Sequence, residues 1–172
     1  MTGEFYFEAL GALGVSLAGF AALISALDRR AEGHTPVAAW RIRNIVLGGF
    51  AVTFIGFGTV AVHTVTTDEA LTARVASLAI AAWAAVVMYR EYRPGPAWPD
   101  ERQRRLVLLV GAALVLLALG NVLRGGVGYL QGLMLGMLAG PASIFVLAVA
   151  RIAQADRRAE TSSPPDDAAQ RP

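Results

Sequence analysis

Residues 106–123 read LVLLVGAALVLLALGNVL, eighteen positions without a charge, with Arg104 and Arg105 before them and Arg124 after them. About 20 residues rising 1.5 Å each cross the ~30 Å hydrocarbon layer of a bilayer. A membrane β-strand would alternate apolar and polar residues over about ten positions, and this stretch does not alternate. It predicts a transmembrane helix. Four further stretches of similar length flank it, at 5–27, 45–65, 71–89 and 127–150. The weakest is 71–89, because Arg74 falls inside it; an arginine near a span end can reach back to the interface at small cost. The first stretch starts with Glu4 and Glu8 and meets its basic cluster, Arg29 and Arg30, only afterwards. A secretory leader has the reverse order, so a retained first span is expected.

Composition agrees with a lipid environment. Hydrophobic residues make up 55% of the 172 and charged residues 16%, against roughly a quarter charged in soluble proteins. Mean hydropathy is +0.51. The predicted fold class is all-α: an integral membrane bundle of about five transmembrane helices over residues 1–152. Residues 153–172 are expected to form a disordered cytoplasmic tail, since 161–172 are rich in Ser, Pro and Asp.

Orientation follows from the arginines, because short cytoplasmic segments carry the excess of basic residues. With Met1 outside, all of the 15 basic residues except Arg74 and Arg124 fall on the cytoplasmic side. Aromatic residues agree: Tyr6 and Tyr129 mark the outer face, and Trp40, Tyr89, Tyr92 and Trp98 the inner one. The inner segment from Arg90 to Arg105 holds Pro94, Pro96 and Pro99. It is expected to be extended and to act mainly as a topology determinant.

Several chemistries lack their residues. Without cysteine there is no disulfide, thiolate metal site or thiol nucleophile. Ser16 in Gly14-Val15-Ser16-Leu17-Ala18 faintly resembles an intramembrane serine nucleophile. It lies about 16 Å below the outer surface and His63 only about 3 Å, too far apart for a base that must come within hydrogen-bond reach. The hydroxyls of Ser16, Ser25, Thr53, Thr59, Ser77 and Ser143 can bond back to their own helices. No metal site, cofactor or nucleic-acid partner is expected: ligand spacing is wrong for zinc, and the arginines form no separate basic domain. The absence of lysine and the abundance of alanine suggest a GC-rich bacterial genome.

Two constellations stand out. Gly128, Gly132, Gly136 and Gly140 are four residues apart, and consecutive members sit about 40° apart around a helix, forming a slanted groove. Gly14, Ala18, Ala22 and Ala26 form a similar ridge on the first span, and Ser77, Ala81 and Ala85 a shorter one on the third. Small residues let helix backbones approach closely in lipid. The groove is expected to meet another span of the same chain; a homo-oligomer contact, even one around a pore, is the alternative. Pro141 follows the groove and is expected to bend the helix. The second constellation is Glu8, His63, Asn121 and Arg124, which hydropathy places near one level at the outer face. It can be read as a polar pocket or as side chains reaching water, and the second reading is expected.

The segment from Gly14 to Phe20, then Trp40-Arg41-Ile42-Arg43, then a last span opening with Tyr129 and holding Phe145, resembles a family of small bacterial membrane proteins without an assigned function. The resemblance implies a multi-span fold over most of the chain and carries over no activity or site. The functional expectation is a non-enzymatic protein of the bacterial cytoplasmic membrane with an accessory or assembly role. Its partners would be the lipid bilayer and a second copy or another membrane protein. A small oligomeric channel or transporter is the alternative.

Overall fold

The computed structural model describes residues 3–31, 36–92 and 101–162, and among these it is built of five helices. They are α1 (Glu4–Ala31), α2 (Pro36–Thr66), α3 (Glu69–Tyr92), α4 (Glu101–Arg124) and α5 (Val127–Ser162). Each contains a stretch long and apolar enough to cross a membrane. The helices outrun the hydropathy-based spans. α2 begins at Pro36, a residue suited to a first helical position because its missing N–H needs no partner there. α5 continues to Ser162, so residues 153–162 are helical rather than part of a disordered tail. The proline-containing loop at 93–100 and the remaining tail at 163–172 lie outside the described residues, as does the side chain of Ala26.

Two tight turns close one end of the bundle. Between α2 and α3, Thr67 adopts φ 55°, and its N–H donates to the His63 carbonyl at 2.8 Å. Asp68 then caps α3: its Oδ1 accepts from the N–H groups of Ala70 and Leu71 at 2.8 and 3.0 Å, pairing donors that a helix start leaves free. Between α4 and α5, Gly125 takes φ 69°, a left-handed conformation that glycine adopts without steric cost. Its N–H donates to the Asn121 carbonyl at 2.7 Å.

The most extensive contacts join α1 with α2 and α3 with α4; α5 touches all four other helices and ties the two hairpins together. Phe7, Leu10, Val52, Ile80, Leu130 and Met134 fill the centre. The exterior is apolar as well. Phe54, Leu109 and Leu116 are 73, 71 and 70% exposed, an arrangement suited to lipid, since monomers in water rarely expose large contiguous apolar patches.

Candidate functional site

Helices α1 and α2 cross in close backbone contact. A Cβ built on Gly14 would stand 2.5 Å from the Gly49 carbonyl oxygen, and one on Gly49 equally close to the Gly14 carbonyl. Thr53 locks the same contact: its hydroxyl donates to the carbonyls of Gly11 and Gly49, both at 2.9 Å. Ala18 is buried in the crossing, whereas Ala22 is exposed. The first-span ridge is thus a packing face along part of its length only.

The glycine stripe of α5 behaves differently. A Cβ on Gly128, Gly132 or Gly140 would meet nothing within 4 Å, and one on Gly136 only a Leu114 methyl at 3.6 Å. Among the described residues, the expected contact with another span of the chain is therefore limited to Gly136 against Leu114 of α4 and is missing at Gly128, Gly132 and Gly140. The buried face of α5 is instead Leu130, Leu133, Met134 and Met137. The stripe also divides. Its 40° steps carry Gly128 and Gly140 to directions about 120° apart, and Gly136 and Gly140 line a half-open cleft that does not include Gly128 or Gly132. Pro141 packs inward: a Cβ on Gly48 of α2 would come within 3.0 Å of its Cγ.

Among the described residues, no hydrogen bond or ion pair joins Glu8, His63, Asn121 and Arg124 to one another. Glu8 and Arg124 are exposed, and Arg124 lies over the Tyr129 ring at 5.5 Å from its centroid. The His63 Nδ1 is buried with no hydrogen-bond partner among the described residues. Asn121 is buried and has a structural task. Its Oδ1 accepts from the Gly126 N–H at 3.1 Å, and its Nδ2 donates to the Gly126 carbonyl at 3.1 Å and to the Ser77 hydroxyl at 2.8 Å. One side chain thereby fastens the α4–α5 turn to α3. Other hydroxyls bond back along their helices, Ser16 to the Ala12 carbonyl at 2.9 Å, Thr59 to Ile55 at 2.6 Å and Ser143 to Gly140 at 2.8 Å. Those bonds satisfy the hydroxyls within their own helices.

The remaining feature is a cleft of about 440 Å³ bounded by α2, α3, α4 and α5, in the half of the bundle away from the two tight turns. Its polar end holds Trp40 and Asn44, one turn apart on α2, together with Arg90 and Glu91 at the end of α3. Glu91 is 2% exposed, and its Oε2 accepts from Trp40 Nε1 at 3.2 Å. Asn44 Nδ2 is buried without a hydrogen-bond partner among the described residues. Apolar residues line the rest, and Gly136 and Gly140 contribute no side chain to its wall. Hydropathy does not single out Glu91, because it ends the third span two residues earlier. The signal for Glu91 is periodicity: Ser77, Ala84 and Glu91 recur every seven residues on the buried face of α3.

No family model, curated protein or solved structure matches the chain. The likeness to small bacterial membrane proteins therefore rests on its quoted motifs alone.

Proposed function

We propose that this chain is a non-enzymatic, multi-pass protein of the bacterial cytoplasmic membrane that acts by assembling with another membrane protein. Its amino terminus lies outside, so the two tight turns face outward and the Glu91 end of the cleft faces the cytoplasm. Arginine placement supports that orientation. Reaction of cysteines placed at Thr67 and Gly126 with an impermeant reagent on intact cells checks it.

The observation that carries the assembly reading is the outer half of α5. Gly128 and Gly132 present bare backbone on the outside of the bundle, and a Cβ at either residue would have no neighbour within 4 Å. In lipid, helices gain little from burying apolar surface, and close backbone packing is a main source of association. A face of this kind suits a helix from a second protein. A pore through a single subunit receives no support, because Phe7, Val52, Ile80, Leu130 and Met134 fill the middle of the bundle; a pore between copies would require a complex made of this chain alone. Native mass measurement of the complex released gently from its own membrane tests the reading. A mass of this chain plus a different protein, reduced to one chain by Gly132→Leu with the fold retained, is the expected result. A single-chain mass in the unchanged protein refutes assembly, and a mass made only of copies favours the oligomeric alternative.

A further inference from the structure

The cleft has the dimensions and polarity of a site for a molecule with one polar end. Its volume of about 440 Å³ falls within the roughly 300–1,000 Å³ of small-molecule sites, which occur between the helices of bundles. Glu91 is the one charged residue buried among the described residues. Ionisable groups held inside a membrane bundle commonly mark a functional site. Trp40 engages one Glu91 oxygen, and a carboxylate offers about four acceptor positions, so capacity remains for a further donor. The buried Asn44 Nδ2 is a donor that a ligand oxygen can satisfy.

Depth matches polarity. Glu91 stands one residue before the end of α3, and Ala84, also in the lining, lies about 10 Å further in. Leu114 and Gly136, which line the deeper end, fall near the middle of their apolar spans. The cleft thus runs from one interface toward the midplane, the reach of a chain in a single leaflet, about half of the ~30 Å hydrocarbon layer.

We propose that this cleft binds an amine-headed membrane amphiphile. The ammonium group donates to Glu91, a neighbouring oxygen of the head accepts from Asn44 Nδ2, and the hydrocarbon chain lies along Gly140 and Gly136 toward Leu114. An ethanolamine phospholipid has both head elements; a free alkylamine has the ammonium alone. A choline head carries the charge but has no N–H to donate. The proposal rests on the membrane placement above and is independent of partner assembly.

The chain supplies its own probes, since Trp40 and Trp83 both line the cleft. The third tryptophan, Trp98, is removed as Trp98→Phe. The full-length protein is placed in vesicles containing phosphatidylethanolamine, phosphatidylcholine or phosphatidylglycerol with brominated acyl chains, and tryptophan quenching is followed against mole fraction. The ethanolamine lipid should quench at about tenfold lower mole fraction than the choline lipid, the factor set by one hydrogen bond to a charged group. Glu91→Gln should bring the two curves together. If Glu91→Gln does not fold, Gly140→Leu decides: it fills the chain end, leaves the head end intact, and should weaken quenching by the ethanolamine lipid. Relief of the quenching by dodecylammonium supports recognition of the ammonium chain. A saturable response to dodecylammonium without ethanolamine preference supports the site and makes a free alkylamine its source. Equal curves for all three lipids with no dodecylammonium response overturn the proposal, as does preference for phosphatidylglycerol. Quenching by none of the brominated lipids instead overturns the membrane placement on which it rests.

Discussion

Glycine lies on two helix faces of this chain, and the two faces do opposite things. Where α1 crosses α2, Gly14 and Gly49 approach so closely that a Cβ on either would stand 2.5 Å from the other's carbonyl oxygen. On α5, Gly128, Gly132 and Gly140 have nothing within 4 Å of the same position. The regular four-residue repeat belongs to the second face. The first is irregular and shared between helices, with Gly11, Gly14 and Ala18 on α1 and Gly49, Thr53 and Gly56 on α2. Close approach needs small residues on both partners. A repeat on one helix therefore specifies half of a contact and leaves open where the other half resides.

The largest expected effect breaks the first face. In Gly49→Ala the new Cβ would meet the Gly14 carbonyl at 2.5 Å and the Ala18 Cβ at 3.3 Å. Both belong to helix bodies that cannot yield like the end of a flexible side chain. The loss should exceed the ~1–3 kcal/mol of ordinary overpacking, read as a lower thermal unfolding midpoint in detergent. A midpoint unchanged within the ~0.5 kcal/mol of a surface substitution would show that the crossing is looser than these distances imply.

Asn121 offers an intermediate effect and compares polar fastening with backbone packing. Asn121→Ala removes the bond to Ser77 and both bonds to Gly126. Single hydrogen bonds contribute about 0.5–1.5 kcal/mol, and those between membrane helices average nearer 0.6, so a loss of about 1–2 kcal/mol is expected. Ser77→Ala in the Asn121→Ala background should cost less than Ser77→Ala alone, because the shared bond is already gone. Strict additivity in that cycle would remove the Ser77 link from the account of how the turn is held.

The five apolar helices are legible because hydropathy picks out stretches long and apolar enough to cross a membrane. The helix ends are less so: α5 continues to Ser162 through residues such as Arg157, Arg158 and Glu160, which are polar but compatible with helix, and hydropathy has no signal for helix beyond the hydrocarbon. Asn121 is recognisable as a deep polar residue, but its partners are not. Depth places it beside Glu8 and His63, whereas azimuth around the bundle decides that it faces Ser77. Glu91 escapes notice for the converse reason. It looks interfacial by depth and becomes visible only when the seven-residue recurrence from Ser77 through Ala84 is followed past the apolar stretch. The surroundings of the glycine stripe are not legible, since a one-dimensional repeat fixes a face and not what stands opposite.

The smallest expected effect belongs to that stripe. Gly128→Ala and Gly132→Ala each add one methyl group to open space, so no clash opposes them within the chain. Alanine is favoured over glycine in a helix interior by up to about 1 kcal/mol. The isolated subunit should therefore unfold at the same temperature as the original or slightly higher. Gly19→Ala is the control, because Gly19 also has nothing within 4 Å and lies on α1, away from the proposed contact. In the assembled complex the responses should part: a methyl on the docking face holds the partner off, so Gly132→Ala should lower the temperature at which the complex dissociates, while Gly19→Ala should not. If the two substitutions behave alike in both preparations, the α5 face meets only lipid. If Gly132→Ala lowers the midpoint of the isolated subunit as far as Gly49→Ala does, the contrast between the two glycine faces fails, and α5 packs within the bundle after all.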